Sequence, residues 1–230
     1  MEVSKKNYCL ISGLFENDKF FHTHQHHNPE SNISWLKKLG KLNGILVFSS
    51  LGDTQCVIKS IDLNEKNICI NIGTGSQIFY KQNDKIIIHK YFPAGRALNT
   101  YQQFFKSLGL DIFKLYKNIK LSDVINSSLS IDNNVFPQSI NYLNGGRIIN
   151  IQEDNFEYKN LLGSILKSIV LQYQIYLPNR KNIILSGGIP HKMKIVEQSF
   201  RYFYPNHKII LNKEEYSTHL GMIKYIEQYL

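Results

Sequence analysis

Apolar and polar positions change rhythm along the chain, and the rhythm divides it into elements. IleLeuValPheSerSer (45–50) is a short continuous apolar run, the mark of a buried strand, and LeuGlyAspThrGlnCysValIleLysSer (51–60) follows with helical character. AsnIleCysIleAsnIle (67–72), GlnIlePheTyrLys (77–81) and LysIleIleIleHisLysTyrPhe (85–92) predict an antiparallel meander, broken by GlyThrGlySer (73–76) and a GlnAsnAsp turn. A helix is expected over 94–109, stopped by Gly109, then short helical pieces over 111–130 and a loop-rich stretch from Asn133 to Gln152. Leu161, Leu162, Ile165, Leu166, Ile169, Val170 and Tyr173 recur at helical spacing, predicting one long helix from about Phe156 to Leu177, where Pro178 ends it. AsnIleIleLeuSer (182–186) reads as another buried strand, followed by GlyGly at 187–188, a helix from near Pro190 to about Phe203, a strand at 208–211 and a terminal helix from about Glu215. Parallel strands joined by helices after an antiparallel meander imply an α/β domain with a mixed sheet.

The first 44 residues differ from this pattern. Residues 8–15 and 19–22, around a GluAsnAsp turn, read as a hairpin, and 22–31 reads as a polar loop holding His22, His24, His26 and His27. The expected organisation is therefore a divergent segment over 1–44 and a domain over 45–230.

Composition narrows the class. The chain has 230 residues, 43% hydrophobic and 20% charged, which suits a chain that buries a core and excludes wholesale disorder, collagen and a disulfide-stapled miniprotein. No apolar run approaches the roughly 18–20 residues that cross a bilayer, and the start carries no signal-peptide core, so a cytoplasmic protein without membrane attachment is expected. The three cysteines, Cys9, Cys56 and Cys69, lack paired metal spacing and read as small core residues. The net charge of +9 comes from lysines scattered through every segment, without an arginine-aromatic face, so no nucleic-acid partner is expected. A metal site is the sharper reading of the four clustered histidines, but no Cys or carboxylate stands at fixed spacing from them and such clusters are often solvated; no metal is expected there.

Three local features carry possible chemistry. GlyThrGlySer (73–76) lies between two strands and has no closing Lys, so it is a hairpin turn rather than a Walker loop. Such a turn can still offer backbone N–H groups and the hydroxyls of Thr74 and Ser76 to phosphate oxygens, or it can serve only to reverse the chain. Asp53 follows a buried strand and opens a helix, which makes it an N-cap or a general base kept ionised by the helix terminus; Gln55 in the same turn suits hydrogen bonding to a polyol. SerGlyGly (186–188) between strand and helix either makes a tight turn or lets a flat ring lie against backbone.

In order, GlyAspThrGln (52–55), AsnIleGlyThrGlySerGln (71–77), LeuSerGlyGly (185–188) and LeuGly (220–221) resemble the C-terminal domain of the FGGY carbohydrate kinases, most of all the sedoheptulose and xylulose kinase branch. TyrPheProAlaGlyArgAlaLeu (91–98) and AsnTyrLeuAsnGlyGlyArg (141–147) resemble further blocks of that branch, so the likeness covers about residues 41 to 230. The resemblance implies an actin-like ATPase (ribonuclease H-like) fold and ATP-dependent phosphorylation of a sugar or polyol hydroxyl, with ATP and Mg²⁺. By position it makes Asp53 the base and Thr54 or Gln55 a substrate contact. Gly73, Thr74, Gly75 and Ser76 become a cradle for ATP phosphates, and Gly187 and Gly188 line an adenosine pocket. The family also has an N-terminal actin-like domain with an AspXaaGlyThr hairpin, for which this sequence shows no counterpart. That implies either a separate N-terminal half as partner or a non-catalytic remnant that binds nucleotide or protein. Ser168 and Met222 stand where the family has Gly and Ala.

Overall fold

A computed structural model describes residues 8–10, 14–16, 19–21, 38–42, 45–48, 53–61, 63–137, 139–142, 145–177, 181–212 and 217–227. The chain divides into two units, one of residues 1–62 with 216–230 and one of residues 63–215. In the first unit, β1 (Tyr8–Leu10) pairs parallel with β5 (Ile45–Phe48), and β5 pairs antiparallel with β4 (Lys38–Leu42). Between them in sequence, β2 (Leu14–Glu16) and β3 (Lys19–Phe21) form a hairpin with Leu14 opposite Phe21. The hairpin expected over 8–22 thus exists only in its second half. Tyr8–Leu10 pairs instead with the continuous apolar strand, whose hydrogen-bonding edge an isolated hairpin would have left open. The helix α1 (Asp53–Ser60) follows β5, as its pattern predicts.

The second unit is built on a five-stranded sheet of order β12-β11-β6-β7-β8. The strands β6 (Asn67–Ile72), β7 (Ser76–Gln82) and β8 (Lys85–Phe92) form the expected meander. They are followed by α2 (Gly95–Ser107), α3 (Ile112–Tyr116) and α4 (Leu121–Ile125). Two three-residue strands, β9 (Ser130–Asp132), just before the stretch expected to be loop, and β10 (Arg147–Ile149), inside it, pair antiparallel. Then come α5 (Tyr158–Leu171), β11 (Asn182–Ser186), α6 (Gly188–Lys192), α7 (Lys194–Phe203) and β12 (Ile209–Leu211). β11 pairs parallel with β6 on one side and with β12 on the other.

Burial on both faces explains the apolar run Ile183–Leu185 of β11, whereas β6 alternates and sets Ile68, Ile70 and Ile72 on one face. Ile68, Ile70 and Ile72 of β6, with Ile183 and Leu185 of β11, join one cluster with Leu162, Ile165, Leu166 and Ile169 of α5. Each such side chain contributes roughly 1.5–3 kcal/mol through removal from water. Two boundaries differ from expectation. The α-helix ends at Leu171 and tightens into a 3-10 turn at Gln174–Tyr176, though Tyr173, the last member of the stripe, is fully buried. The helix expected from Pro190 to Phe203 is two helices, because Met193 between them is extended, with φ −125° and ψ 86°.

The last helix, α8 (Ser217–Ile226), returns to the first unit and lies on α1. Gly221 sits so close to α1 that a Cβ would collide with the Cys56 carbonyl. Lys224 Nζ donates to the Ser60 carbonyl at 2.9 Å, satisfying a group at the C-terminal end of α1. Cys56 and Cys69 are buried, as read from their apolar surroundings, whereas the Cys9 side chain and His22–His27 lie outside the described residues.

Gly221→Ala is expected to cost about 1–3 kcal/mol of stability because neither helix backbone can give way to a methyl group; an unchanged denaturation midpoint would show that α8 does not lie this close. Alkaline pH gives a second test. Burial raises the phenol pKa of Tyr116, Tyr173 and Tyr204 above the ordinary 10.0, and burial followed by the nearby Asp132 charge pushes Tyr101 up to about 12. The unfolded chain releases these protons from about pH 10 while the folded chain keeps them, so stability is intact below pH 10 and falls as pH rises towards the folded values. A share of the phenolate absorbance should therefore appear only together with loss of helical circular dichroism; complete ionisation of a still-folded chain would contradict this.

Candidate functional site

The glycine turn at the end of β6 is a hairpin, as its flanking strands predict. Ile72 pairs with Ser76 across it, and the Gly73 N–H donates to the Gly75 carbonyl at 2.9 Å. Thr74 and Gly75 are exposed and Gly73 is half-buried. Ser76 differs from the expectation of an outward hydroxyl. It is 0% exposed, and its Oγ donates to the Asn71 carbonyl at 2.9 Å and accepts from the Tyr173 hydroxyl at 2.7 Å. Thr74 is thus the turn residue whose side chain reaches solvent, and Ser76 is tied into the fold.

The carbonyls of the turn have partners too. The N-terminus of α2 directs the Gly95 N–H to the Gly73 carbonyl at 3.0 Å and the Arg96 N–H to the Thr74 carbonyl at 2.7 Å. The first N–H groups of a helix have no partner within it, and Ala94 at the N-cap gives no side-chain cap, so turn and helix satisfy each other. Carbonyl lone pairs that would repel an anion are thereby engaged with the helix.

The second glycine turn meets the first. Ser186 ends β11 directly opposite Asn71 of β6. Gly187 has φ +90°, and a Cβ there would stand 2.5 Å from the Ile72 carbonyl oxygen and 2.8 Å from Asn71 Oδ1, so only glycine fits. Gly188 has open space where a Cβ would go. Asn212, just past β12, donates its backbone N–H to the Leu185 carbonyl at 2.8 Å and its Nδ2 to Ser186 Oγ at 3.4 Å. The carboxyl ends of three parallel strands therefore gather Asn71, the turn 73–75, Ser186–Gly188 and Asn212 at one sheet edge, the place where open α/β sheets bind ligands. Asn212 was missed because a lone Asn after a short strand carries no signal of its own. A polar cavity in this unit, lined by Asp123, Asp154, Glu157 and Lys159 among others, shares no residue with this edge.

Asp53 is the first residue of α1 and belongs, with Thr54 and Gln55, to the first unit; the two glycine turns belong to the second. Thr54 and Gln55 are half-buried, and the Asp53 side chain lies outside the described residues. Among the described residues no group of three or more His, Cys, Asp or Glu is placed to hold a metal ion, and no helix is long and apolar enough to cross a membrane.

No family model matches the sequence, and no curated protein matches it. Solved structures do. The ligand-bound xylulose kinase of Lactobacillus acidophilus matches with a TM-score of 0.59 at 14% identity, over 83% of this chain and 44% of that one. The Plasmodium falciparum glycerol kinase, solved with ADP, matches with a TM-score of 0.58 at 16% identity, over 84% of this chain and 46% of that one. This is the α/β, actin-like fold of the sugar kinases. Gluconate kinase from Lactobacillus acidophilus shares it as well, with a TM-score of 0.57 at 13% identity over 83% of this chain and 44% of that one. The chain spans under half the length of each of these kinases. At 13–16% identity, what these structures share with the chain is the fold.

Gly187→Ala is expected to cost about 1–3 kcal/mol, from a strained backbone and from the contact with the end of β6. Gly188→Ala, with room for its methyl group, should leave the thermal midpoint nearly unchanged. Equal destabilisation by the two would contradict the placement of Gly187 against Ile72.

Proposed function

We propose that the chain is the nucleotide-binding C-terminal part of a carbohydrate kinase, transferring the terminal phosphoryl group of ATP to a sugar or polyol hydroxyl. The observation that carries this reading is the convergence of two glycine turns at the carboxyl edge of the parallel strands, on a fold shared with xylulose, gluconate and glycerol kinases. In this reading the backbone N–H groups of Thr74 and Gly75, with the Thr74 hydroxyl, receive the phosphates, while the Gly73 N–H closes the turn on the Gly75 carbonyl and Ser76 holds it from beneath. Gly187 and Gly188 leave room for the adenosine to lie against backbone. Asp53 takes the proton of the substrate hydroxyl as its oxygen attacks the γ-phosphorus, the bond from that phosphorus to the β–γ bridging oxygen breaks, and ADP leaves. Thr54 or Gln55 contacts the substrate. Mg²⁺, when bound, neutralises charge on the phosphates; the lack of a carboxylate cluster among the described residues fits an ion that arrives on the nucleotide.

The reading takes residues 45–230 as the kinase domain, a cytoplasmic setting, and a separate N-terminal half as partner. A second reading, a nucleotide-binding remnant without catalysis, needs only the glycine turns of the second unit and not Asp53 of the first. Titration calorimetry with ATP and magnesium, followed by mixing with an N-terminal actin-like kinase half, separates the two. The kinase reading expects ATP binding and sugar-dependent turnover that Asp53→Ala lowers at least about 100-fold. Binding without turnover favours the remnant, turnover indifferent to Asp53→Ala removes the base from its role, and absence of ATP binding overturns both readings.

A further inference from the structure

Tyr173 is an unexpected residue for its surroundings. It is fully buried, with its ring 5.2 Å from that of Phe92 and stacked on that of Phe200 at 5.8 Å. A phenylalanine would fill the same apolar space without a hydroxyl to desolvate, and burying a hydroxyl is unfavourable unless it is hydrogen-bonded. The hydroxyl here donates to Ser76 Oγ at 2.7 Å, across 97 residues of sequence. Burial holds the phenol pKa above its ordinary value and outweighs the opposing effects of hydrogen bonds to Ser76 and Gln172, so the group remains a donor throughout the neutral range.

The neighbouring residue reaches the same place by another route. Gln172 Nε2 donates to the Pro93 carbonyl at 2.8 Å, in the segment that leads into Gly95 and Arg96, whose N–H groups hold the carbonyls of the glycine turn. The end of α5 therefore grips the turn twice, through Ser76 at its exit and through the start of α2 at its carbonyls.

We propose that Tyr173 is a positioning residue for an anion site at the turn 73–75: its hydroxyl, through Ser76, fixes the turn in the conformation that receives the phosphates of a nucleoside triphosphate. The identity of the ligand rests on the nucleotide reading above, whereas the bracing of the turn does not. Removing the Tyr173 hydroxyl releases that tether alone, removing the Ser76 hydroxyl releases it together with the bond to Asn71, and both leave the aromatic core filled.

Tyr173→Phe and Ser76→Ala, each in the full chain, test this by two measurements. Amide hydrogen exchange without nucleotide should speed up about threefold to tenfold at residues 73–77, the range one hydrogen bond represents, while the amides of Ile183–Leu185 keep their protection. By calorimetry, affinity for ATP should weaken about threefold to tenfold in Tyr173→Phe and at least as much in Ser76→Ala, which also loses the bond to Asn71, affinity for adenosine should hold, and the double variant should match Ser76→Ala, in which the Tyr173 bond is already gone. Unchanged exchange at the turn in both variants, or an equal loss of ATP and adenosine affinity, overturns the proposal. A wild-type chain that binds no ATP ends the nucleotide reading, and the exchange measurement still decides whether Tyr173 braces the turn.

Discussion

The second unit depends on the parallel pairing of Asn67–Asn71 with Asn182–Ser186. These five residue pairs join segments on opposite sides of the whole helical insertion, and they set the register in which Asn71 faces Ser186. A slip of one residue would turn every isoleucine of β6 to the other face. It would also separate the two glycine turns, each of which gains its surroundings from the other strand. The core, the edge at the carboxyl ends and the close contact of Gly187 with Ile72 all follow from this register.

Around it, unsatisfied groups are matched rather than left to solvent. The helix α2 begins without a capping side chain, and the glycine turn has carbonyls with no partner within its own hairpin; the two end against each other. Ser76 satisfies Asn71 and is satisfied by Tyr173. What remains outward at the turn is a threonine and glycine backbone. A surface with its acceptors occupied and its side chains small is suited to an anion for reasons independent of any likeness to known kinases.

Most of the fold was legible because its signals are local and strong. The apolar run of β11 and the alternation along β6 marked both as strands, and the stripe from Leu161 to Tyr173 marked α5 with its correct buried face. The β9–β10 ladder was not legible, since both strands are three residues long, β10 is exposed throughout, and the pairing of Arg147 with Asp132 is visible only once the chain is folded. Extension at Met193 split a helix whose apolar spacing continues across the break. At the site, the positions of both glycine turns were readable from residue type. The inward side of Ser76 was not, because it depends on a phenol 97 residues away. Asn212 was hidden for the same reason, as its role comes from Ser186 rather than from its neighbours in sequence.

The long separation between β6 and β11 also has a consequence in time. Asn67 and Asn182, joined side chain to side chain at 3.2 Å, are 115 residues apart. At typical translation rates, β6 leaves the ribosome roughly ten seconds before its parallel partner is made. The meander with β7 and β8 can close at once, but the other edge of β6, with Ile68, Ile70 and Ile72 on one face, has no native partner during that interval and is open to pairing with another nascent chain. Synthesis of this protein therefore passes through a period in which the central strand of its sheet is open along one edge, a demand on chaperone capacity that the finished fold no longer displays.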